Sequence, residues 1–200
     1  MPELVAPTPV VRRSFLEAVE ELVAEGRTGE GSMLKRWMDL FSDRWHTEDG
    51  FAEFVAYLEA DARPEAERPT GHVPQSTWWL VDGEEYLGRI SVRHELTQWL
   101  REYGGHIGYE VRPSARRRGH ATRMLRDVLP HARALGIESA LLTCDEDNVA
   151  SARVIEAAGG VLADQRGVKL RYWVPTGPRT AAEEMSAADV EAGRSAPSHL

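Results

Sequence analysis

One cysteine in 200 residues, Cys144, leaves no partner for an internal disulfide and no set of thiolates for a zinc cluster. The seven histidines include no His-x-x-x-His pair, so no metal is expected. No apolar run approaches the roughly 20 residues that a bilayer demands. The start Met1-Pro2-Glu3-Leu4 has neither a basic n-region nor an apolar h-region. A cytoplasmic protein without a membrane partner is the expectation. Positive charge is scarce, with 24 Lys and Arg against 32 Asp and Glu and a net charge of −8. Non-specific nucleic-acid binding needs a broadly basic surface, and this balance excludes it. What is present is ordinary for a globular chain, 42% hydrophobic and 28% charged, and long enough to bury one good core.

Periodicity organises the chain. Val11, Phe15, Val19, Leu22 and Val23 predict a helix near 9–25, broken by Gly26 to Gly31. Short helices are expected at 33–41 and 48–60, then a proline-containing loop from Arg63 to Pro74. Strands at 76–81 and 86–92 flank Asp82-Gly83, a strong hairpin signal. A helical turn at 96–101 precedes a strand at 105–111. Strands at 137–144, 161–164 and 168–174 and a helix at 149–158 complete the pattern. The predicted organisation is a helical segment over 1–70, a core over 71–175 and a disordered tail over 176–200, with a peripheral helix at 180–192 as the alternative for the tail.

Against the acidic background, Val111-Arg112-Pro113-Ser114-Ala115-Arg116-Arg117-Arg118-Gly119-His120-Ala121-Thr122 stands out. Pro113 stops the strand, and Ala121, Met124, Leu125, Val128, Ala132 and Leu135 give the following helix one apolar face. Gly119 lies at the approach to that helix, where backbone N–H groups lack partners and the dipole is positive. Such groups bind anions. The loop is neither a Walker A nor a dinucleotide-binding loop, because Gly-Lys-Ser/Thr and G-x-G-x-x-G are both missing. Read alone, an arginine run here is equally a solvated loop. Pro130, inside the helix, is expected to kink it or end it early.

Arg116-x-x-Gly119-x-Ala121 between a strand and a helix resembles the acyl-CoA signature of the GNAT superfamily, the GCN5-related N-acetyltransferases. Asn148-x-x-Ser151-x-x-Val154-Ile155-Glu156-x-x-Gly159-Gly160 resembles the segment after that family's fifth strand, and Asn148 also reads as a helix N-cap. Gly104-Gly105-His106-Ile107-Gly108-Tyr109, Leu142-Thr143-Cys144-Asp145 and Arg171-Tyr172-Trp173 look like bacterial proteins of that family with unassigned substrates. The resemblance spans about 73–175 and implies an α+β acyl-CoA N-acyltransferase fold with a mixed, mostly antiparallel sheet and splayed central strands. It further implies acetyl-CoA as acyl donor, held by Tyr109, Val111, Arg116, Arg117, Arg118, Gly119, His120, Ala121, Thr122, Asn148 and Ser151. Homodimerisation is in keeping with the family.

Transfer from a thioester to an amine needs a neutral amine, a polarised carbonyl and a protonated leaving thiolate. His106 is the favoured base, because histidine titrates near neutrality, with Glu95 next and His94 and Glu110 behind them. His106 reads equally as a hydrogen-bonded structural residue. Many family members carry a tyrosine on the helix after Asn148, and here Ile155 holds that place. Tyr172 is the replacement acid, with Tyr109 or water as alternatives, and Tyr172 also reads as a core aromatic. Acidic neighbours would raise the Cys144 thiol pKa, leaving it a strand-end residue. The expected activity is acetyl transfer from acetyl-CoA to a primary amine of a small molecule or protein, with Asp145 to Asp147 favouring a cationic acceptor. The alternatives are a non-catalytic acyl-CoA-binding or sensing domain, and a nucleotide-binding module using the same turn.

Overall fold

Gly83, in the left-handed region at φ 63°, turns the chain between β2 (Gln75–Asp82) and β3 (Glu85–Arg93), and this hairpin is the centre of the molecule. The computed structural model describes residues 1–29 and 32–178. The hairpin is flanked antiparallel by a short strand β1 (Glu3–Val5) on one side and by β4 (Ile107–Val111) on the other. A second sheet places β7 (Lys169–Pro175) between β5 (Ser139–Asp145) and β6 (Val161–Arg166), again antiparallel. The architecture is α+β, as the family resemblance implies.

Alternation along the strands divides the apolar side chains between two cores. Leu80, Ile90 and Val92 face helix α4 (His120–Ala134), which contributes Met124, Leu125 and Val128; Leu142, Tyr172 and Val174 of the second sheet join them. Ile155 of α5 (Val149–Ala157) is fully buried in the same cluster. Trp79, Val81 and Tyr86 face the other way, onto α1 (Arg12–Ala24), α2 (Met33–Phe41) and α3 (Glu48–Ala60). Phe15 sits at the centre of that second core, stacked on Trp79 at 5.3 Å and edge-on to Phe51 and Tyr86 at 5.4 and 5.1 Å.

The structure departs from the periodic pattern in three places. Three residues of β1 are too few for an alternation signal, and none was expected there. Helix α4 continues through Pro130 to Ala134 instead of ending early. Pro130 is exposed, so the Arg126 carbonyl that loses its donor sits on an exposed face and can bond water. The turn expected at 96–101 is a single π-helical turn, Leu100–Gly104, closed by Gly105 N–H donating to Leu100 O at 2.7 Å. The peripheral helix at 180–192 lies outside the described residues. Just before that stretch, Thr176 is buried, and its hydroxyl donates to Ile137 O at 2.6 Å.

β4 and β5 meet at one point. His106 N–H donates to Leu141 O at 2.7 Å, and His106 Nδ1 accepts from Leu141 N–H at 2.8 Å. A Cβ on Gly105 would lie 2.4 Å from Leu141 O, so only glycine lets the strands come this close. Past this contact no backbone pairing joins the two strands among the described residues, and they belong to separate sheets.

Candidate active site

The turn after β4 has the geometry of an anion site. A 3-10 turn, Pro113–Ala115, leads to Arg117 at φ 62° and Gly119 at φ 81°, and α4 starts at His120. Among the described residues none accepts from the amides of Arg117 through Thr122. These N–H groups belong to the first turn of a 15-residue helix and the three residues before it, at the positive end of its dipole. A Cβ on Gly119 would meet nothing within 4 Å, so the glycine answers to its positive φ and to the open space in front of it. Arg117 holds the same left-handed conformation without being glycine, a strained state that collects at functional sites.

A cavity of about 400 Å³ begins at this turn and runs between β4 and α5. Tyr109, Val111, Arg116, Arg117, Gly119, His120, Ala121, Thr122, Asn148 and Ser151 all line it, which brings together ten of the eleven residues expected to hold the donor. Arg118 does not; its Nη2 donates to Ser114 O at 3.3 Å. Asn148 accepts from Ser151 N–H at 3.0 Å and so caps α5 while lining the cavity. Tyr109 crosses from β4 to α5, its hydroxyl 2.7 Å from Ser151 Oγ. Burial pushes the Tyr109 phenol up to about 12, against the lowering effect of that hydrogen bond.

The arginine run is less free than its local sequence implies. Arg112 Nε donates to Glu21 at 2.7 Å, Ser114 N–H donates to the same carboxylate at 2.9 Å, and Arg116 pairs with Glu25 at 2.8 Å. Partial burial pushes the Glu21 carboxyl up, but the hydrogen bonds from Ser114 and Arg112 outweigh it and hold the group below its usual range. Glu17, Glu21 and Glu25 stand four apart on or just past α1, so one helix face carries the acid that 112–126 lacks. That spacing was visible in the sequence and matches the Arg112 to Arg116 step. Arg117 has no ion-pair partner among the described residues.

The residues expected to carry proton transfer are not brought together. His106 is buried at the junction of β4 and β5, with Nδ1 already accepting from Leu141. Burial, then the charges of Arg101 and Arg93, push its pKa down to about 4. Glu95 is exposed and lines neither this cavity nor the next. Tyr172 is buried on β7, donating to Glu156 at 3.3 Å. His94 lies 2.8 Å from Ser76 Oγ. Burial and then Asp145 raise the Cys144 thiol, in keeping with a strand-end residue.

A second cavity, about 690 Å³, opens on the α1–α2 side of β4 and shares Arg27, Tyr109 and Glu110 with the first. Glu110 bridges Arg27 at 3.5 Å and Arg89 at 3.6 Å, and its side chain is 12% exposed. Arg27 went unnoticed in the sequence because it stands in the Gly26 break, where no period marks it. Asp145, expected to favour a cationic acceptor, is paired with Lys169 at 2.7 Å. No group of three or more His, Cys, Asp or Glu among the described residues is arranged to hold a metal, and none of their helices is long and apolar enough to cross a membrane.

Residues 26–161, more than half of the chain, match the family model of the acetyltransferase (GNAT) domain. No curated protein matches the chain. Among solved structures, Mycobacterium smegmatis RimJ in complex with CoA-disulfide is 19% identical, with 94% of this chain and 89% of that chain covered at a TM-score of 0.58. The ribosomal-protein-S5-alanine acetyltransferase of Vibrio fischeri is 14% identical, with 90% and 95% covered at 0.59. The microcin C7 self-immunity acetyltransferase MccE, in complex with acetyl-CoA and AMP, is 11% identical, with 87% and 92% covered at 0.59. Likeness at these identities extends to the fold.

Proposed function

The chain belongs to the GNAT family of acetyltransferases, and from that premise we propose that it moves an acetyl group from acetyl-CoA directly to a primary amine of a small molecule or a protein. One observation carries the reading: the amides of Arg117 through Thr122 have no acceptor among the described residues, and all of these residues but Arg118 line a cavity that also takes in Tyr109 of β4 and Asn148 and Ser151 at α5. A pyrophosphate fits that turn. Arg117 adds a charge-assisted contact, and the slot beside Tyr109, Asn148 and Ser151 suits a narrow chain such as pantetheine. Acetyl-CoA held there supplies the activated acyl group. Solved neighbours bound to acetyl-CoA or CoA support the donor, and a ribosomal-protein-S5-alanine acetyltransferase among the neighbours keeps a protein acceptor in view beside a small molecule.

Proton handling falls to the wall shared by the two cavities. Tyr109, protonated at neutral pH and anchored on Ser151, is the proton donor to the leaving thiolate, in place of the tyrosine that Ile155 replaces. Glu110, one of the base candidates, lines both cavities on the path of an incoming amine and is held there by Arg27 and Arg89. His106 positions the strands rather than taking the proton, because its Nδ1 is already engaged. The non-catalytic acyl-CoA-binding reading draws support from Ile155, which is fully buried in the core. Thiol release from acetyl-CoA across an amine panel, alongside calorimetric binding of coenzyme A and ATP, separates the readings. Saturable coenzyme A binding with no thiol release above background defeats the transferase, and equal affinity for ATP points to a nucleotide module.

A further inference from the structure

Trp99 and Tyr103 are 60% and 50% exposed, an uncommon state for two large rings one turn apart. Their backbone is firmly held. Leu100 N–H donates to Thr97 Oγ1 at 3.2 Å, and Leu100 itself is buried beneath the π-helical turn. The second sheet grips the same turn: the Thr143 hydroxyl donates to Tyr103 O at 2.7 Å, and Arg171 Nη1 donates to Arg101 O at 2.7 Å. A Cβ on Gly104 would lie 3.1 Å from Trp99 Cζ3, so the indole packs over bare backbone. The two rings are tilted 39° with centroids 5.8 Å apart. Exposed rings on a tethered π-helical turn and at its N-cap form a surface shaped for a ligand rather than a frayed loop.

Both rings line the second cavity, which also takes in the Tyr109 and Glu110 segment shared with the donor cavity. An amine must reach the thioester at that segment, so the remainder of the acceptor extends toward Trp99 and Tyr103. The carboxylates on the way are already paired, Glu110 with Arg27 and Arg89 and Asp145 with Lys169. With those carboxylates paired, the flat surface that this otherwise polar cavity offers an acceptor is the exposed pair Trp99 and Tyr103, and a second aromatic ring gains most from such a platform.

We propose that this cavity is the acceptor subsite and that it selects a primary amine attached to an aromatic group, the ring of which lies on Trp99 and Tyr103. The assignment rests on the amine-acetylating reading above. It is tested on the full chain by following thiol release from acetyl-CoA with L-phenylalaninamide, L-tryptophanamide and L-alaninamide, and by calorimetric titration of the coenzyme A-bound protein with the same amides. Aromatic amides are expected to bind, and to exceed alaninamide in kcat/KM by about tenfold, the size of a stacked-ring contact. Trp99→Ala should erase the preference and Trp99→Phe keep most of it, with coenzyme A affinity unchanged in both. Equal kcat/KM for the three amides, or a preference surviving both Trp99→Ala and Tyr103→Ala, overturns the subsite while acetyl transfer stands. Trp99-dependent binding of aromatic amides without thiol release from any amine upholds the subsite and overturns acetyl transfer. Neither binding nor release overturns both.

Discussion

His106 and Leu141 exchange two hydrogen bonds, main chain to main chain at 2.7 Å and Leu141 N–H to imidazole Nδ1 at 2.8 Å, and the second continues a ladder that the backbone alone would have ended. The imidazole must be neutral at Nδ1 to accept. His106→Leu leaves the Leu141 amide buried without an acceptor, a cost of about 1–3 kcal/mol in urea unfolding. His106→Asn, whose Oδ1 can stand where Nδ1 does, should recover most of it.

The same pair sets a pH dependence. The folded pKa of His106, about 4, lies below the unfolded value near 6.5, so the unfolded chain binds the proton first as pH falls. Its contribution to stability is complete above pH 6.5 and is lost progressively down to about pH 4. Urea midpoints measured across that window should fall in the wild type and flatten in His106→Asn.

Gly119→Glu should fold, because a Cβ there meets no protein atom, while losing about 1–2 kcal/mol to the left-handed backbone. Acetyl-CoA binding should disappear, since the new carboxylate fills the anion site. Circular dichroism and calorimetry on one sample check both halves; a folded variant with normal affinity would show the turn misassigned.

Charge around the turn can be altered in both directions. Glu25→Gln frees Arg116 from its 2.8 Å ion pair and should tighten coenzyme A binding about two- to fivefold, the range of an exposed ion pair. Arg117→Gly relieves a left-handed non-glycine residue, so stability should hold while coenzyme A affinity falls about tenfold. Calorimetry at two salt concentrations reads both, with a shallower salt slope in Arg117→Gly.

Tyr109→Phe removes the hydroxyl that meets Ser151 and should lower kcat by about 10²-fold, a usual magnitude for a lost general acid, with KM for acetyl-CoA little changed. Because burial holds the phenol near 12, wild-type kcat should show no loss from its ionisation below about pH 10. An unchanged kcat in the variant would pass the proton to water.

Much of this was legible in the chain because it is local. The Arg-Gly turn, the Asp82-Gly83 hairpin and the Asn148 cap each depend on residues within a few positions of one another. The α1 carboxylates that occupy Arg112 and Arg116 stand 91 residues away from their partners, so local composition overstated the free positive charge. His106 illustrates the other difficulty. A histidine opening a cleft-lining strand has the right chemistry for a base, and only the position of Leu141 shows its acceptor nitrogen already engaged. β1 escaped for want of length, and α4 runs past Pro130 because exposure relieves the loss that proline imposes.

The parting of β4 from β5 leaves two sheet margins turned toward each other across a gap instead of outward to solvent. Margins placed this way are shielded from strands of other molecules, and a guest threading the gap can take up their unpaired groups from both sides. Occupancy should therefore brace the two halves against heat, by about 2.7 kcal/mol when donor stands at a hundred times its Kd. A cell's supply of acylated carrier would then govern how long the folded chain survives as well as how fast it turns over.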